Sequence, residues 1–142
     1  MRKEIYQALM ERLMAMGDIQ YVDLWNQNVE FIDQESAWPR PAVFVEFDAI
    51  EWDRTKERSM DTKGTLRLHV VTDWAGSVAS DSGSRAESLA VFDLLDQIRE
   101  RLEGLRGETF SRMKLQQSLT NHNHEDLLEN IEVYSYRGLV MI

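Results

Sequence analysis

Trp38-Pro39-Arg40-Pro41 leads directly into the apolar run Ala42-Val43-Phe44-Val45-Glu46-Phe47, and this junction restricts the possible folds more than any other feature of the chain. Neither proline can donate a backbone hydrogen bond, and each pushes its predecessor into extended geometry, so residues 38–41 belong to neither a helix interior nor a central strand. The run behind them is apolar at consecutive positions before it begins to alternate, so both of its faces need cover. Such a strand enters the buried centre of a sheet. A second run, Thr65-Leu66-Arg67-Leu68-His69-Val70, alternates cleanly, with Leu66, Leu68 and Val70 inward and Thr65, Arg67 and His69 outward. The two runs are expected to pair as an antiparallel hairpin. Residues 53–63, between them, are polar and carry charges of alternating sign, which predicts a solvated loop that becomes ordered against a neighbouring subunit.

The flanking segments carry the other period. In residues 3–16, Ile5, Tyr6, Leu9, Leu13 and Met16 fall on one side of a 3.6-residue repeat, and Gly17 follows as a stop. Residues 19–25 are rich in strand formers, and Asn26-Gln27-Asn28 breaks them. After the small, polar, glycine-punctuated loop 75–83, Ser84 and Glu87 have the spacing of a capping box. Behind them Val91, Leu94, Leu95, Ile98, Leu102 and Leu105 form one stripe, with Asp93, Asp96, Gln97, Glu100 and Glu103 opposite, and Gly104 and Gly107 end the helix. Two further strands are expected at 112–119 and 131–141, separated by the polar run 120–126. The order is helix, three strands, helix, two strands. It predicts a single α+β domain spanning 1–142, with a mainly antiparallel sheet and two amphipathic helices packed on one face.

Composition narrows the chemistry. With 43% hydrophobic residues the chain has enough apolar surface to fold, and with no cysteine it has no disulfide, thiolate nucleophile or Cys-ligated zinc. A formal charge of -9, from 25 acidic against 16 basic side chains, disfavours sequence-independent nucleic-acid binding and anionic membranes. No stretch approaches the ~20 apolar residues of a membrane span, and the N-terminus runs straight into the first helical pattern, so a cytoplasmic protein is expected.

His122-Asn123-His124-Glu125-Asp126 invites comparison with a metal site or an HNH nuclease, but in that nuclease the named residues are dispersed around a metal rather than consecutive. A solvated turn is the simpler reading. None of Ser77, Ser80, Ser82 or Ser84 sits in a G-x-S-x-G elbow, and Gly76 and Gly83 lack the spacing of a phosphate-binding loop. His69 is expected at the surface or in an interface. No catalytic residue, metal or cofactor is therefore expected, and the chain is read as a non-enzyme.

Candidate contact residues are easier to name. Trp25, Trp38, Trp52 and Trp74 lie near strand ends or loops, where aromatic side chains favour interfaces, and Leu89 and Phe92 project away from the second helix's main stripe. An oligomer or partner interface is expected to use Trp52, Arg54, Lys56, Glu57, Arg58, Asp61, Lys63, Trp74, Leu89 and Phe92.

The pattern resembles the tail-terminator or tail-completion (head-tail joining) proteins of long-tailed bacteriophages and prophages. The resemblance rests on the helix 3–16, the proline-led entry Pro39-Arg40-Pro41-Ala42-Val43-Phe44-Val45, the strand Gly64-Thr65-Leu66-Arg67-Leu68-His69-Val70, the helix containing Val91-Phe92-Asp93-Leu94-Leu95-Asp96-Gln97-Ile98, and the closing strand Ile131-Glu132-Val133-Tyr134-Ser135-Tyr136. The polar run 120–126 departs from the family's pattern. The resemblance implies a non-catalytic subunit of a homo-oligomeric ring, commonly a hexamer, that caps the tail tube and meets head-side connector proteins in the virion neck. An acidic lumen would let DNA slide without sticking. Two other classes stay open on the residues alone: a small-molecule or peptide-binding α+β module using the Trp-lined edge, and a metal-dependent hydrolase or nuclease using His122 and His124.

Overall fold

A computed structural model describes residues 1–26, 38–74, 76, 78–121 and 127–142. The elements follow in the order α1 (Arg2–Met14), β1 (Tyr21–Leu24), β2 (Ala42–Lys56), β3 (Ser59–Asp73), α2 (Arg85–Leu102), β4 (Phe110–Asn121) and β5 (Leu127–Met141). The five strands form one sheet in the order β1-β2-β3-β5-β4, in which β1 runs parallel to β2 and every other pair is antiparallel. The α+β architecture and its mainly antiparallel sheet agree with the expectation from sequence.

Both helices bury their stripes on one face of the sheet. Val43 and Val45 of β2 lie opposite Val70 and Leu68 of β3, and all four pack with Ile5, Leu9 and Leu13 of α1 and Leu94, Ile98 and Leu102 of α2. Each fully buried aliphatic side chain of this kind contributes about 1.5–3 kcal/mol. Gly104 has φ 73, and its N–H donates to the carbonyl of Met113 (2.8 Å), which turns the chain from α2 towards β4. Gly64 is a glycine for a different reason. It lies beside Tyr136 of β5, and a Cβ there would overlap the Tyr136 ring.

Among the described residues the opposite sheet face is covered at one end only. Trp38, Ala42, Phe44, Val71 and Leu127 form a second buried cluster, with Tyr21 and Trp25 packed against it. Phe44 is its centre: Tyr21, Trp25 and Trp38 each meet its ring edge-on, with centroids 6.0, 6.3 and 4.9 Å away. The run 42–47 is thus apolar on both faces because two separate clusters claim its alternate side chains.

Three expectations are corrected. Residues 53–63 are not a loop: β2 and β3 continue through them, and Lys56 pairs with Ser59, leaving Glu57 and Arg58 as the turn. The cause is a third strand, since β5 runs beside β3 as far as Ser59↔Met141 and supplies backbone partners that polar side chains do not preclude. Ser84 is the residue before α2, but its hydroxyl makes no cap bond to the helix and meets Ser82 Oγ instead (2.9 Å). His69 does point away from the helices, yet it is buried, because Trp25 covers that part of the sheet.

Candidate functional site

His69 occupies the middle of the helix-free face, opposite Phe44 of β2 and Ile131 of β5. Glu46 and Glu129 sit two positions along those neighbouring strands and reach it diagonally. Its Nε2 lies 2.8 Å from Glu46 Oε1 and its Nδ1 lies 2.6 Å from Glu129 Oε2. The Trp25 indole stacks on the ring, 3.8 Å between centroids and 5° from parallel, and Asn121 Nδ2 donates to Glu129 Oε1 at 2.6 Å. A neutral imidazole has one N–H, so meeting both carboxylates takes a proton on the second ring nitrogen or on one carboxyl. Both nitrogens are engaged and one ring face is covered. The group is built as a strut joining Trp25, β2, β3 and β5 rather than as a ligand with a nitrogen to offer. Nothing in the sequence pairs Glu46 or Glu129 with His69, because the contact depends on strand order.

Beyond this strut the same face opens into a hollow of about 1010 Å³. Lys63, Arg112, Lys114 and Arg137 line it, together with Glu51 and Glu103. Lys63 has Arg137 of β5 as its direct cross-strand neighbour on one side and Glu51 of β2 on the other, so two cations share one carboxylate along this row of the sheet. Arg112 has φ 59 and sits where the β4–β5 register shifts between Ser111 and Lys114. This bulge sends Met113 into the helix-side core and leaves Arg112 and Lys114 exposed. Among the described residues none of these four cations has an ion-pair partner within 4.0 Å; Arg67, on the same face, is paired with Asp48 at 3.0 Å.

The structure separates the ten residues expected at an interface into three places. Trp52, Arg54, Lys56, Glu57, Arg58, Asp61 and Lys63 fall on the outer half of the β2–β3 hairpin. Trp74 follows the end of β3, and Leu89 and Phe92 lie on α2. Trp52, Trp74, Leu89 and Phe92 are 45%, 48%, 41% and 54% exposed. Sequence reasoning did not pick out Leu139 and Met141, which are also exposed beside the hairpin, nor Arg112, Lys114 and Arg137. Their strand alternation was the available signal. His122 and His124 lie outside the described residues. Among the described residues, no cluster of three or more His, Asp or Glu side chains has an arrangement that could hold a metal ion, and no helix is long and apolar enough to cross a membrane.

A mixed five-stranded sheet with both helices on one face defines an α+β class of small domain. No protein-family model matches the chain, and no curated protein does. Among solved structures it is similar to a chain of the virion of the native gene transfer agent particle, with 13% identity and a TM-score of 0.55 over 95% of this chain and 94% of that one. At that identity the likeness shows a shared fold, from one end of both chains to the other.

Proposed function

We propose that this chain is a structural, non-catalytic subunit of a phage-like particle, which forms a homo-oligomeric ring at the end of the tail and joins it to head-side connector proteins. The observation that carries this reading is the fold shared end to end with a chain of the gene transfer agent virion. A likeness confined to one motif would not speak for the whole chain's role. Exposed apolar side chains support it: Trp52 on β2, Leu139 and Met141 on β5, and Leu89 and Phe92 on α2 need cover that the described residues do not provide. The tail-end position and the ring follow from the resemblance to tail-terminator proteins. They place the assembled protein in the virion neck, with tail-tube and connector proteins as partners.

Native mass spectrometry and light scattering across a concentration series test the ring, and electron microscopy with purified tail tubes tests its place. A closed oligomer that decorates one tube end is expected. A chain that stays monomeric at every concentration and leaves tube ends bare overturns the proposal. The hollow beside Lys63 favours one competing reading, a small-molecule or peptide-binding module. Saturable binding of a metabolite or peptide by a chain that remains monomeric would establish that reading instead.

A further inference from the structure

The cationic hollow and the outer stripe of α2 lie on opposite layers of the molecule and carry opposite charge. Leu89, Phe92, Asp93, Asp96 and Glu100 are all exposed. At 3.6 residues per turn they fall within an arc of about 100°. Arg99 borders this arc and Arg85 lies at its N-terminal end, so the centre of the stripe is acidic, with an apolar beginning. On the helix-free face the sequence of properties is matched. Lys63, Lys114 and Arg137 provide positive charge with no ion-pair partner among the described residues, and Leu139 and Met141 continue the same face of β5 as exposed apolar side chains.

Resting on the ring reading above, we infer that the helix-free sheet face of one copy receives the α2 stripe of the next. Asp93, Asp96 and Glu100 meet Lys63, Lys114 and Arg137, and Leu89 and Phe92 meet Leu139 and Met141. Because the two patches lie on opposite layers, one partner cannot fill both at once, so the contact is head-to-tail and propagates, closing into a ring where the rotation per copy allows it. It also brings carboxylates to a row in which Lys63 and Arg137 are neighbours and Glu51, opposite Lys63, is one acid against two cations. Nucleic acid is the less suitable occupant, because the field of a chain with net charge -9 opposes a polyanion, and Glu51 and Glu103 share the hollow.

Two charge-reversed full-length variants test the contact. One carries Lys63→Glu, Lys114→Glu and Arg137→Glu; the other carries Asp93→Lys, Asp96→Lys and Glu100→Lys. All six positions are exposed, and circular dichroism with thermal unfolding checks that both variants fold. Each alone is expected to associate at least about tenfold more weakly than the parent, since it opposes like charges. Mixed in equal amounts they are expected to regain assembly, in an alternating order seen by native mass spectrometry. Parent-like assembly of either variant alone, or folded variants whose mixture stays monomeric, overturns this contact and leaves the ring standing. A monomeric parent overturns both. Duplex DNA retained by the parent and lost with the sheet-face reversal would assign the cations to nucleic acid and also overturn it. Should a reversed variant fail to fold, Lys63→Gln with Arg137→Gln replaces one and Asp93→Asn with Asp96→Asn the other. The parent's association should weaken with salt, and that dependence should flatten in these neutral variants; an unchanged salt dependence refutes the contact.

Discussion

Glu4 joins the first helix to the chain just before the fourth strand, more than a hundred residues later, and its removal should have a pH signature. Oε1 accepts from the Thr109 N–H (2.9 Å) and from Thr109 Oγ1 (2.6 Å), and Oε2 accepts from the Glu108 N–H (3.1 Å). The Thr109 hydroxyl and then the Thr109 N–H hold this carboxyl below the usual carboxylate range against the opposing effect of burial, and the Glu108 N–H adds a smaller lowering. Glu4→Gln keeps one acceptor oxygen and replaces the other with an NH₂ that cannot accept, so one amide loses its partner and the remaining bonds lose charge assistance. Solvent reaches the group, so the lost bond and the lost charge assistance at each of the other two are each assigned about 0.5 kcal/mol, the low end of the usual range, and the total cost at neutral pH is about 1.5 kcal/mol. For a domain of this size, with an unfolding entropy of about 0.3 kcal/mol/K, that corresponds to a fall in Tm of about 5 °C. Because the folded pKa is lowered, the stabilisation is fully present above the unfolded value of 4.5 and disappears as pH falls through the folded one. Urea denaturation of both proteins from pH 7 down to pH 3 should show the two curves converging below about pH 4.5. A gap of constant size over that range would mean that Glu4 acts by packing alone, and a gap below 0.5 kcal/mol (about the scatter of surface substitutions) would mean that the three bonds contribute nothing measurable.

Glu132 is the opposite case: burial, and secondarily the charge of Asp96, raises its pKa against the lowering effect of the Ser118 hydroxyl. Glu132→Gln should therefore raise Tm at pH 7 and lose that advantage as pH falls through the raised pKa, where the parent's carboxyl becomes neutral too; a variant less stable at pH 7 contradicts this. Gly64→Ala should cost about 1–3 kcal/mol in chemical denaturation through overlap with the Tyr136 ring, and Gly64→Ala with Tyr136→Leu should recover part of that cost, whereas additive losses would place the strain elsewhere. His69→Leu, which removes the ring between Glu46 and Glu129, should cost about 3 kcal/mol, and Glu129→Gln in that background should restore some of it; no recovery would show that the ring matters for its volume and its stack with Trp25.

The helices were legible because their stripes are long enough to average out single exceptions: Ile5, Leu9 and Leu13, and Val91, Leu94, Ile98 and Leu102, are buried as their spacing requires. The strand 42–47 was legible for the same kind of reason, two apolar faces finding two covers. Charge was the misleading signal. Asp53, Arg54, Lys56, Asp61 and Lys63 read as loop, yet an exposed strand needs only a paired backbone, and β5, which flanks the β3 half of the hairpin, lies about eighty residues away. For the same reason His69 was placed outward but not buried. Its cover is Trp25, which a parallel pairing of Tyr21–Leu24 with Ala42–Val45 brings across β2, and no local pattern encodes that pairing.

That pairing also determines where a partner can bind. β1 spans only four residues and pairs with β2 no further than Val45, so among the described residues the aromatic cover ends there and the helix-free face divides into a dry end and a wet one. At the dry end Phe44, Val71 and Leu127 are already buried against Trp38, and a second molecule would find little apolar surface left to remove from water. At the wet end Lys63, Arg137 and Lys114 keep their charges solvated, while Leu139 and Met141 remain exposed beside them. On the proposed contact, a cover there gains apolar burial and brings carboxylates to cations that face one another across the ladder. A longer first strand would extend pairing along the edge of β2 towards residues 46–56 and carry its side chains towards that face. On the proposed contact, lengthening the pairing of β1 should damage assembly as reversing the charges does, and a variant with such an extension that assembles like the parent in native mass spectrometry would refute it.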